Sequence, residues 1–146
     1  MGQIVGIDLG TTNSVVGVIE AGRPIVIANS EGSRTTPSIV GFTKDKEIVI
    51  GEQARRQLVL NPKNTFYNLK RFIGSDWDEL DDNSISVPYN VKANNAGSVR
   101  VLSPNTQREY APEELVSSLI RKLINDAETY LGDTVDSAVI TVPAYF

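Results

Sequence analysis

The run Gly6-Ile7-Asp8-Leu9-Gly10-Thr11-Thr12-Asn13-Ser14 concentrates the residue types from which a phosphate site is built. Gly10 lets the backbone turn tightly and approach a ligand closely. The N–H groups of Gly10 through Asn13 can then converge on an anion, and the Thr11 and Thr12 hydroxyls add donors. Asp8 ends the preceding apolar run. A carboxylate beside a phosphate is repulsive unless a cation lies between them, and Mg²⁺ supplies that charge. From residue types alone, an ordinary polar turn remains the alternative. No G-x-x-x-x-G-K-[ST] occurs, and no G-x-G-x-x-G precedes a helix, so a Walker loop and a dinucleotide fingerprint are both excluded.

Composition closes other routes. The 146 residues contain no Cys and no His. Thiol and imidazole catalysis, disulfides and thiolate or imidazole zinc sites are therefore out, and any metal is a hard cation on oxygen ligands. Fourteen basic residues against eighteen acidic ones give a net charge of −4, which lacks the basic footprint of a nucleic-acid binder. The longest apolar stretches run to about five residues against the roughly 20 that span a bilayer, and the N-terminus carries no signal-peptide pattern. Gly2 invites myristoylation, but Gly6 stands where Ser or Thr is required. These features predict a reducing, intracellular compartment and neither a membrane nor a nucleic acid as partner.

The elements that must position the glycine-rich run are read from periodicity. Gln3–Asp8 and Ser14–Glu20 are strand-like and flank the short polar loop, which predicts a β-hairpin. Pro24–Ala28 adds a third strand, completing an antiparallel meander. Ser38–Phe42 and Glu47–Ile50 form a further hairpin around Lys44-Asp45-Lys46. A helix is expected over Glu52–Leu60, stopped by Asn61-Pro62, and a second over Thr65–Ile73, with Thr65 as N-cap and Gly74 past its end. The acidic stretch Asp76–Asp82 reads as a solvated loop. Ser84–Tyr89 and Ser98–Leu102 predict another hairpin. Pro112–Leu131 carries Leu115, Val116, Leu119, Ile120, Leu123, Ile124, Ala127 and Leu131 on one helical face. Pro112 at the first turn, Glu113 and Glu114 behind it and Gly132 at the far end suit its termini. Asp136–Val142 is a last strand, and the apolar end Pro143-Ala144-Tyr145-Phe146 reads as a cut, not as a natural terminus.

Four strings together carry a resemblance: Gly6–Ser14, Glu31–Phe42, Asn68–Gly74 and Ala138–Phe146. They are similar to the 70-kDa heat-shock chaperones, nearest to the bacterial DnaK type, from end to end of the chain. Actins and sugar kinases share a looser form of the phosphate loop but not these four strings together. The resemblance implies that Asp8 holds Mg²⁺ largely through water, that Gly10, Thr11, Thr12 and Asn13 bind the β- and γ-phosphates of ATP or ADP, and that Lys70 reaches the γ-phosphate and the attacking water. It implies that Pro143 relays nucleotide state to a peptide-binding domain. Arg34, Thr35, Thr36 and Pro37 lie in a matching string and are expected only to cross between subdomains.

The fold implied is α/β: the actin-like, ribonuclease H-like ATPase fold with a mixed sheet, first lobe only. Residues 1–38 and 112–146 are expected to form the subdomain with the phosphate loop, and 39–111 an inserted α+β subdomain carrying Lys70. The implied parent is an ATP-dependent chaperone of unfolded polypeptides, served by a J-domain co-chaperone and a nucleotide exchange factor, in a bacterial cytoplasm or an organellar stroma or matrix. The family's second lobe and peptide-binding domain are missing, so this chain alone is expected neither to hydrolyse ATP nor to clamp a peptide. The rival readings are a non-enzymatic, partner-stabilised binding module and a sugar- or acetate-kinase-like enzyme on the same fold.

Overall fold

In the computed structural model, which describes residues 2–142, the chain begins with β1 (Gln3–Leu9). Period-2 alternation gives this strand one buried face, Val5, Ile7 and Leu9, and one open face, Ile4, Gly6 and Asp8. β2 (Asn13–Glu20) pairs antiparallel with it, and β3 (Arg23–Val26) continues the meander. β4 (Thr36–Pro37) returns to pair with the first residues of β2, setting Asn13 opposite Pro37 and Ser14 opposite Thr36.

Two small sheets follow. β5 (Val40–Phe42) is the centre of one, flanked by β6 (Ile48–Ile50) and later by β7 (Thr65–Phe66). Between these two lies the short helix α1 (Glu52–Arg56). β8 (Asn90–Ala93), β9 (Val99–Ser103) and β10 (Arg108–Tyr110) make the other sheet. Asn64 ties the two together, its Oδ1 accepting from Ser103 Oγ at 2.8 Å and from the Asn105 N–H at 2.9 Å. Phe42 stacks on Tyr110 at 4.8 Å and meets Phe66 edge-on at 6.3 Å, while Phe66 meets Tyr89 at 5.0 Å. Such offset and edge-on contacts are the favoured aromatic geometries. Burial, and next the charge of Tyr67, push the Tyr89 hydroxyl up in pKa, and it donates to the Tyr67 carbonyl.

α2 (Pro112–Leu131) then crosses the buried face of the first sheet. Leu115, Val116, Leu119, Leu123 and Ala127 are all buried against the core. Gly132 closes the helix at φ 65°, a left-handed position that suits a residue without Cβ. β11 (Val135–Ile140) returns parallel to β1, so the five-stranded sheet is mixed, with the path β11-β1-β2-β3 and β4 beside β2. The opposite face of this sheet stays open, with Ile19 64% and Val139 70% exposed.

Three expectations need correction. Thr65–Ile73 is not a helix. Thr65 and Phe66 pair with β5, Asn68 takes φ 57°, and only Leu69–Arg71 coils, as a single 3₁₀ turn. Glu52–Leu60 is helical only to Arg56, with turns from Gln57 to Leu60. The partner strand of β9 is Asn90–Ala93, not Ser84–Tyr89, and β10 was not expected at all.

The loop between β3 and β4 is latched to α2. Lys122 Nζ donates to Asp126 Oδ2 at 2.8 Å, Glu31 Oε2 at 3.1 Å and Ser30 Oγ at 3.3 Å. Burial alone disfavours the Glu31 charge, but the Ser30 hydrogen bond and the bond and charge of Lys122 outweigh it and lower its pKa. Burial likewise disfavours the Lys122 charge, and bonds to Asp126 and Glu31 outweigh that and raise its pKa. The Glu31 contribution is present above the ordinary carboxylate value of 4.5 and is lost as pH falls through its lowered folded value. The Lys122 contribution is present below 10.5 and is lost as pH rises through its raised value. Lys122→Met leaves the buried Asp126 without its cation and is expected to cost about 1–3 kcal/mol at pH 7. Urea unfolding across pH checks this, and the part of the penalty carried by Glu31 should shrink as the pH falls through that group's lowered value.

Candidate functional site

The polar tip joining β1 to β2 is held by small hydroxyl side chains from elsewhere in the chain. Ser38 Oγ donates to the Gly10 carbonyl at 2.8 Å, and the Ser38 N–H donates to the Thr12 carbonyl at 2.9 Å. Ser38 Oγ also lies 2.8 Å from Ser14 Oγ, in a buried contact. These bonds leave Thr11, Thr12 and Asn13 exposed at the tip, where they can meet a ligand. Gly10 is required sterically: a Cβ there would sit 2.0 Å from the Asn13 carbonyl oxygen.

Asp8 occupies the open face of β1, one residue before the buried Leu9. β11 supplies its orienting partner. Thr141, just beyond that strand, donates from Oγ1 to Asp8 Oδ1 at 3.0 Å and accepts the Leu9 N–H at 3.1 Å. Its own N–H donates to the Ile7 carbonyl at 3.0 Å, continuing the parallel ladder past Ile140. The carboxylate is thus fixed at one oxygen and exposed to solvent. Among the described residues no three acidic or imidazole side chains gather into a metal-binding group. Asp8 alone fits a cation held mostly through water, which is the coordination habit of Mg²⁺.

Lys70 arrives from the 3₁₀ turn. Its neighbours Leu69 and Phe72 are buried and anchor that turn against the core, so the half-buried Lys70 stem is directed toward the hairpin. Lys70 Nζ donates to the Leu9 carbonyl. Tertiary structure therefore brings Asp8, Gly10, Thr11, Thr12, Asn13 and Lys70 to one end of the sheet. A cavity of about 410 Å³ opens beside Lys70, with Leu9, Ile73, Val116, Ile120 and Thr141 in its wall. Pro143 lies outside the described residues. Ser14, Ser38 and Thr141 are the supporting residues that sequence reasoning did not single out. Their only sequence signal is a small hydroxyl side chain at a strand end. What makes them supports is closure over 28 residues for Ser38 and 133 for Thr141.

A mixed sheet thus bears a hairpin with exposed hydroxyl side chains at its tip and a carboxylate and an ammonium at its base. A profile for "Hsp70 protein" matches residues 4–146. The chain is 88% identical over all its length to the chaperone protein dnaK1 of Prochlorococcus marinus strain MED4. It is 60% identical to the chaperone protein dnaK3 of Thermosynechococcus vestitus and 56% identical to the chaperone protein DnaK of Trichormus variabilis, again over its full length. The chain belongs to the Hsp70 family, and its fold is of the actin-like ATPase class that the four strings imply. It spans 22% of the length of the first of these relatives and 21% of the last. None of its described helices is long and apolar enough to cross a membrane.

Gly10→Ala is expected to displace the tip, because the new Cβ and the Asn13 carbonyl cannot both keep their places. Backbone amide spectra should show the shifts confined to residues near Gly10–Ser14 and Ser38, with the signals of α2 unmoved.

Proposed function

We propose that this chain is the first lobe of an ATP-driven chaperone's nucleotide-binding domain and supplies the phosphate-handling half of its cleft. The observation that carries this reading is the arrival of Lys70 and Thr141, from separate elements, at the Asp8-Leu9 base of one hairpin. Gly10, Thr11, Thr12 and Asn13 bind the β- and γ-phosphates of ATP or ADP. Asp8, oriented by Thr141, would hold Mg²⁺. Lys70 leaves the Leu9 carbonyl to meet the γ-phosphate, where a fixed ammonium stabilises charge that develops on the transferred group. Mg·ATP, when bound, supplies the phosphoryl group and the cation that offsets the repulsion between it and Asp8.

Residues 1–38 and 112–146 act as the phosphate-loop subdomain, and 39–111 as the insertion that delivers Lys70. Pro143 relays nucleotide state toward a peptide-binding domain for unfolded polypeptides. A J-domain co-chaperone and a nucleotide exchange factor serve the complete protein in a bacterial cytoplasm or an organellar stroma or matrix. The family match removes support from the sugar- or acetate-kinase reading.

The test uses the full-length Prochlorococcus marinus dnaK1 relative with its matching 146 residues replaced by these. Lys70→Ala is expected to lower its ATP turnover about 10²–10³-fold, the usual cost of one preorganised donor. Unchanged turnover would defeat the assignment. The isolated 146-residue chain is expected to give dispersed amide signals, no shift with millimolar Mg·ATP and no hydrolysis.

A further inference from the structure

Buried hydroxyl groups must find partners, and counting protons gives the pair beneath the phosphate hairpin a direction. Each serine hydroxyl donates once and accepts twice. The Gly10 carbonyl can only accept, so the Ser38 proton is committed to it at 2.8 Å. Ser14 must then be the donor in the 2.8 Å contact between the two hydroxyls. The result is an ordered relay from Ser14 Oγ to Ser38 Oγ to the Gly10 carbonyl. Ser14 is fully buried and Ser38 nearly so. The Ser38 N–H holds the Thr12 carbonyl at 2.9 Å from the same residue. Ser38 therefore grips the tip at two carbonyls, on either side of Thr11, from a loop 28 residues away.

With those two carbonyls held, Thr11, Thr12 and Asn13 remain exposed at the tip. We propose that Ser38 is a positioning residue for nucleotide binding. It sets the tip in its phosphate-binding shape before any nucleotide arrives, acting through Gly10 and Thr12 without touching the nucleotide itself. This rests on reading the hairpin as the phosphate site. The loss it predicts is one of preorganisation: a tip that must be ordered at binding binds less tightly.

Stability and positioning can be separated by the geometry of the relay. Ser38→Ala orphans the buried Ser14 hydroxyl, so it should lower both stability and affinity. Removing both hydroxyls leaves no buried donor without a partner, a change that is close to neutral for folding. The half-buried Gly10 carbonyl can then turn to water. In the chimaeric full-length relative, Ser38→Ala is expected to weaken Mg·ADP binding about tenfold, the size of one net hydrogen bond. The Ser14→Ala, Ser38→Ala double variant should recover the urea midpoint while keeping the weakened affinity.

Calorimetry with Mg·ADP and urea unfolding read the two quantities separately. If the double variant regains affinity along with stability, Ser38 is only a structural residue and the proposal fails. It fails equally if neither variant loses affinity while Gly10→Ala does. If Gly10→Ala also binds normally, the phosphate-site reading is itself wrong and the proposal falls with it. Where Ser38→Ala does not fold, the double variant alone decides.

Discussion

Two hydrogen-bond ladders of opposite sense meet on β1: antiparallel with β2, parallel with β11. The antiparallel ladder is joined by a short tip and places Gly10–Asn13 at the end of the strand. The parallel ladder needs a long crossover, and here α2 supplies the last part of it. Because side chains alternate, the same strand sends Leu9 into the core and Asp8 to the open face. The packing of Val5, Ile7 and Leu9 with α2 thereby fixes the side from which Asp8 is presented. A register slip by one residue would bury the carboxylate and expel Leu9, so the apolar core and the site specify one another.

Much of this was legible in the sequence, and the reason is periodicity. The β1–β2 hairpin shows alternate apolar residues around a glycine-bearing loop, and α2 shows eight apolar residues on one helical face. Both patterns report burial directly. The failures come where tertiary contacts override local pattern. Phe66, Leu69, Phe72 and Ile73 have helix-like spacing, yet Phe66 is buried in a strand edge, opposite Val40. Ile85, Val87 and Tyr89 alternate like a strand, but the ladder to β9 begins only at Asn90. β10, as Arg-Glu-Tyr, carries no apolar signal beyond Tyr110.

The site was legible to a different depth. The residues proposed to face a phosphate, Asp8 and Gly10–Asn13, lie in one short run and announce their chemistry by type. Lys70 came from the family string, since an isolated lysine on a short coil has no distinguishing local pattern. The supports escaped notice because serine and threonine are common and ambiguous. Ser38 and Thr141 gain meaning only once the chain has folded back on itself. Arg34–Pro37 were expected to do no more than cross between subdomains, but Thr36 and Pro37 form β4 and brace the start of β2.

The parallel pairing of β1 with β11 also has a consequence in time. Roughly 130 residues separate Gln3 from its partner Val135. At a synthesis rate of about 5–20 residues per second, β1 waits something like 7 to 26 s on the ribosome for that partner. Throughout the delay one edge of β1 is unpaired, and an unpaired edge is a template for wrong strands. The hydroxyl of Thr141 that orients Asp8 arrives later still. The Gly10 tip can close early, from β1, β2 and Ser38, while the carboxylate beside it is oriented only when β11 docks.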